Sequence, residues 1–192
     1  MFLIVWSGTK SNEAMVGDSS RVKPEGNAVV QERDVSIGVM AKAGAILWAI
    51  WGILHVWVGY EGVHQYVSGG VRGQWATLIG GARVPRETFE YATDAGTAFA
   101  HSQLILNFCL DVGGYGVLGI FIAWMIWAHA SWMAYLIGLI AVGIADLSFL
   151  FALVTSGVIE YSFAVILGPI VWGLAVVVTP FGLPRVRLGA TP

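Results

Sequence analysis

Three ionisable residues stand inside stretches apolar enough to be buried in lipid: His55, Asp111 and Asp146. An ionisable group at bilayer depth is costly unless paired or hydrated, and such groups mark proton relays and ligand sites. A histidine beside one or two carboxylates in a low dielectric shares protons with them, which is what a proton relay or a general acid–base site requires. Gln103, Asn107 and Asp111 recur every fourth residue, so on a helix they form one polar stripe. His55, Gln103, Asn107, Asp111 and Asp146 are therefore the expected intramembrane polar cluster. The plainer role for the same residues is glue, with hydrogen bonds across a helix bundle contributing about 1 kcal/mol each.

A second constellation lies beyond the first apolar run. Glu61, His64 and Gln65 share a helical face at i, i+3 and i+4, and His101 precedes Ser102 and Gln103. Glu-x-x-His on a helix can present two metal ligands, and a further imidazole can supply a third. Glu61, His64 and His101 are thus the expected metal ligands, although interfacial histidines bonded only to water and backbone would carry the same pattern. Of the four histidines, only His64 and His101 could face each other at one depth as axial ligands of a haem. Metal and haem are the cofactors the chain admits. It has no Walker A, dinucleotide fingerprint, His-Glu-x-x-His, Gly-x-Ser-x-Gly or Cys-x-x-Cys-His motif. The single cysteine, Cys109, excludes an intrachain disulfide and reads as a small apolar filler.

Helices must hold these residues. The 192-residue chain is 57% hydrophobic and 11% charged, with a mean hydropathy of +0.74. Soluble domains average about 25% charged residues, so this chain lacks the polar surface to face water all round. The expected fold is an all-α integral membrane protein, a four-transmembrane-helix bundle. About 20 apolar residues cross roughly 30 Å of hydrocarbon, which places spans near residues 43–60, 97–127, 132–155 and 161–178. Between the first two, Gly69-Gly70 and Gly80-Gly81 act as breakers. Pro85 would open a short amphipathic helix carrying Arg86 and Glu90 at i, i+4. Residues 61–96 are therefore expected to form a long extracytoplasmic loop. The run Gly113-Gly114-Tyr115-Gly116 implies either a hinge or tight packing, and Pro169 frees a backbone carbonyl inside the fourth span.

The domain plan is a polar, disordered cytoplasmic tail over 1–40, the transmembrane domain over 41–182 and a short tail over 183–192. The first tail with Lys42 holds five basic residues and the last tail two, against three in the long loop. That bias favours both termini on the cytoplasmic side of an inner membrane. A net charge of −2 without a basic stripe argues against nucleic acid as a partner. The expected partners are the lipid bilayer, a second copy in a homo-oligomer, or another subunit of a membrane complex. Three functions fit these features: a proton-linked or small-solute membrane protein, a membrane-embedded enzyme or redox subunit acting on a lipid-soluble substrate, and a non-catalytic accessory subunit.

Overall fold

The computed structural model describes residues 37–184, and within them every regular element is helical. α1 runs Val39–Leu78, α2 Ala95–His129, α3 Trp132–Ile137, α4 Gly143–Phe149 and α5 Phe163–Val178. π turns at Gly138–Val142 and Leu150–Val154 continue α3 and α4 into one span. Four helices are long and apolar enough to cross a membrane: Val39–Ser68, Ala95–His129, Trp132–Val154 and Phe163–Phe181.

α1 is the core element, with Trp48 and Trp51 fully buried and packed edge to face at 6.4 Å. Glycines bring its backbone against α2. A Cβ on Gly52 would lie 2.6 Å from the Gly116 carbonyl oxygen, and one on Gly59 would lie 2.6 Å from Gly113 Cα. Gly113 and Gly116 of the α2 glycine run are therefore packing positions, and the helix passes through the run unbroken. Small residues serve this way in membranes because water no longer drives apolar faces together and close packing must supply the attraction.

One end of the bundle gathers the start of α1, the α2–α3 hairpin and the end of α5. Gly38 N donates to Gly182 O at 3.0 Å, Trp132 Nε1 donates to Pro184 O at 2.7 Å, and Lys42 Nζ lies 5.7 Å from the Trp127 ring. The hairpin turns at Ala130, in the left-handed region at φ 48°, and Ser131 caps the next helix through Ala134 N at 3.1 Å. At the other end, Gly81 N and Arg83 N donate to Val158 O and Gly157 O, and Arg86 pairs with Glu160 at 2.9 Å.

The segment between the first two spans departs from expectation. α1 continues to Leu78, so the expected loop shrinks to residues 79–94. The Gly69-Gly70 breaker does not end the helix but kinks it at Gly70, whose φ of 63° and ψ of −164° suit only glycine. Polar residues there are satisfied along the helix: Gln65 Nε2 donates to Glu61 Oε1 at 2.7 Å and Ser68 Oγ to His64 O at 2.7 Å. The amphipathic helix expected after Pro85 is a three-residue 3-10 turn, Arg86–Thr88. Arg86 reaches across to Glu160, so it is not held on a helix face with Glu90. Of the expected tails over 1–40 and 183–192, residues 1–36 and 185–192 lie outside the described residues, while Val39 and Met40 already belong to α1.

Asp94 starts α2 outside the apolar span, and its carboxylate accepts from Thr97 N at 2.7 Å. The Thr97 backbone bond first, then the Thr97 hydroxyl, hold this carboxyl below the usual carboxylate range. A lowered folded value means that the cap contributes above the unfolded carboxylate's pKa and is lost as pH falls through the folded one. Amide protection at Thr97 and Ala98 is expected to fall only below about pH 4. Asp94→Asn keeps a capping oxygen without a titrating group and is expected to flatten that dependence, read by hydrogen exchange across pH.

Candidate functional site

Trp51 and His55 are one helical turn apart on α1, so their rings share a face. They stack with centroids 3.8 Å apart and planes at 24°. Asp146, on α4, meets both: Trp51 Nε1 donates to Oδ2 at 2.9 Å, and His55 Nε2 lies 3.5 Å from Oδ1. The carboxylate is nearly sealed, with 5% of its side chain exposed against 18% for His55. α5 closes the site at Gly168, where a Cβ would sit 2.8 Å from His55 Cε1. Next to it, Pro169 lacks the N–H that would bond the carbonyl one turn earlier. Counted from Lys42, Trp132 and Phe181, the residues His55, Asp146 and Gly168 each lie about 20 Å along their helices, hence at one depth.

The hydrogen bonds orient the imidazole. His55 Nδ1 lies 2.8 Å from the Trp51 carbonyl oxygen, which can only accept, so Nδ1 carries a hydrogen. Nε2 is then the nitrogen that faces Asp146. If Nε2 were bare and Asp146 ionised, lone pairs would confront each other in a nearly dry site. One proton relieves this, whether as imidazolium against carboxylate or as neutral imidazole against carboxylic acid. The 3.5 Å gap is an ion-pair distance that must shorten for direct transfer.

The third span is shaped around Asp146. π turns lie on both sides of α4, and such turns concentrate at functional sites because they interrupt the regular backbone ladder. At the first of them Gly138 O accepts from Trp172 Nε1 at 3.4 Å, while Gly143 leaves room for the same indole. Tyr135 Oη donates to Val176 O at 3.1 Å and ties the span to α5 again.

The expected five-residue cluster divides into three groups. His55 and Asp146 come together. Asp111 does not join them: it is exposed on the side of α2 away from α1 and accepts from Asn107 Nδ2 at 2.9 Å. Gln103 turns to Tyr66, donating to its hydroxyl at 2.9 Å. The stripe is real as a spacing, but α2 buries Ile105, Cys109 and Gly116, and that choice of face sends Asn107 and Asp111 outward.

Glu61, His64 and His101 each have another contact in the structure. Glu61 is engaged by Gln65, His64 stacks on Tyr60 at 6.0 Å, and His101 meets Trp75 edge-on at 5.8 Å. Among the described residues no group of three His, Cys, Asp or Glu side chains is arranged to hold a metal. His64 and His101, the expected haem pair, each pack on an aromatic ring of α1. The residue that sequence reasoning passed over is Trp51, which stacks on His55 and donates to Asp146. Its i−4 relation to His55 was the available signal. Gln74 was also missed, buried inside the presumed loop and accepting from Ser102 Oγ at 3.0 Å.

A shallow apolar groove of about 220 Å³ opens near the Arg86–Glu160 end, lined by Trp75, His101, Phe108, Leu153 and Ile159 among others. Comparison with family models, with curated proteins and with solved structures finds no match to this chain.

Proposed function

We propose that the chain is a proton-linked membrane protein whose working group is the buried His55–Asp146 pair. One observation carries this reading: the Trp51 carbonyl occupies His55 Nδ1, which leaves Nε2 facing the buried Asp146 carboxyl as the place where the pair can take up or release a proton. Trp51 Nε1 holds the other carboxylate oxygen and orients it. Gain and loss of that proton changes the charge of a group shared by α1 and α4 and covered by α5, so protonation can bias how the three helices pack. In this reading the chain lies in an inner membrane with both termini cytoplasmic, following the basic residues of its tails, and residues 79–94 face the opposite side.

The test is proton stoichiometry. Purified protein in mild detergent is taken through a pH jump with an indicator dye, alongside Asp146→Asn and His55→Gln. Each variant is expected to exchange one proton fewer than wild type. Equal stoichiometry in all three would overturn the reading.

The apolar groove favours a second reading, a membrane-embedded enzyme or redox subunit acting on a lipid-soluble substrate. His101 is the one titratable side chain lining that groove, and it could serve as acid or base toward a ring held against Trp75 and Phe108.

A further inference from the structure

Asp111 is a carboxylate placed where hydrocarbon offers it nothing. It lies near the middle of the 35-residue α2, level with the part of α1 where Gly59 meets Cys109 and Gly113, and it is exposed. Asn107, its hydrogen-bond partner, is exposed too. Around them the surface is apolar: Leu104, Leu110 and Val117 are 69%, 57% and 61% exposed. A polar pair inside such a surface at bilayer depth calls for a cover that supplies hydrogen bonds.

The pair's own chemistry says what the cover is. The Asn107 amide has two N–H groups and gives one to Asp111, while an ionised carboxylate can accept about four hydrogen bonds. Donors and acceptors are thus both left over, on side chains that meet at one height. A surface with that property is complemented by its own copy turned about a two-fold axis, in which each Asn107 donates to the other chain's Asp111. Gly114, on the same side of the helix, has nothing within 4 Å of the position a Cβ would take, so a second backbone can come close there. We infer that two copies of this chain pair through α2, side by side and parallel, with Asn107, Asp111 and Gly114 at the centre of the contact. The inference stands apart from the proton reading, since it uses none of that site's residues.

The experiment starts from a Cys109→Ser background, which removes the buried native thiol. Single cysteines are then placed by Leu110→Cys or Gly114→Cys on the proposed contact, and by Ile144→Cys on the third span, where the residue is 64% exposed. Oxidation of the membranes is expected to give a disulfide-linked homodimer from the α2 cysteines and monomer from Ile144→Cys. In mild detergent, Asp111→Leu is expected to weaken dimerisation by roughly tenfold, read from energy transfer on dilution, because interhelical polar bonds are lost. Asp111→Asn, which still donates and accepts, is expected to keep the dimer. A chain that stays monomeric in membranes and detergent would overturn the inference. So would α2 cysteines that capture a different protein, or a dimer indifferent to Asp111→Leu.

Discussion

Gly116→Leu is expected to leave no monodisperse, folded protein in detergent. A Cβ at Gly116 would lie 2.5 Å from Val56 N and 2.7 Å from Gly52 O, both backbone atoms of α1. Neither can retreat as a flexible side chain would, so the two longest helices must part along their shared face. Overpacking an ordinary core costs about 1–3 kcal/mol, and a clash between backbones that separates a helix pair is expected to exceed about 3 kcal/mol. In a membrane that loss falls on the main attraction between helices, because apolar faces satisfied by lipid gain little from each other. Gly116→Ala is expected to fold with a clearly lowered melting temperature. The control is Gly173→Ala on α5, where nothing lies within 4 Å of the added methyl. It is expected to be neutral or slightly stabilising, as alanine is the better helix former by about 1 kcal/mol. Size-exclusion profiles and thermal melts separate these cases. A well-folded Gly116→Leu protein would mean that α1 and α2 do not meet here.

Asp146→Ala is expected to carry the second-largest penalty, about 3 kcal/mol, and Asp146→Asn only about 1 kcal/mol. The alanine variant strips the acceptor from Trp51 Nε1 and from His55 Nε2 together, in a site where Asp146 is 4% exposed. Unsatisfied donors then carry their full desolvation cost. Asparagine keeps one oxygen for Trp51 and offers an N–H to Nε2, so the hydrogen bonds survive while the exchangeable proton is gone. Stability and proton exchange therefore separate: Asp146→Ala loses both, Asp146→Asn loses chiefly the second. Chemical unfolding in detergent, paired with the proton stoichiometry, reads the two effects. If Asp146→Ala unfolds at the wild-type midpoint, Asp146 bears no structural part in the bundle.

The helices were legible in the sequence because lipid-crossing segments need only length and apolarity, which the chain states residue by residue. All four appear within a few residues of their expected positions, except that α1 begins at Val39 and runs on to Leu78. There composition misled, since polar residues such as Glu61, Gln65 and Ser68 suggest a loop, yet a helix leaving an apolar span can satisfy them through bonds along its own length. The identities of His55 and Asp146 as costly residues were also legible, for the same reason of composition.

Which polar residues meet was not legible. Periodicity orders residues around one helix but carries no information on which side a neighbour packs. That choice was made in three dimensions by glycines whose missing Cβ atoms let backbones touch: Gly52 and Gly59 turn α1 toward α2, and Gly168 opens α5 to His55. Once those faces are spent on packing, Asp111 points outward and Asp146 inward, although both looked alike in the sequence. The π turns flanking Asp146 leave no mark in spacing or residue type either. The chain alone determined that it forms apolar helices carrying ionisable residues. Only the tertiary structure decided that Trp51, His55 and Asp146 meet in one buried group, because that depends on close contact between helices far apart in sequence.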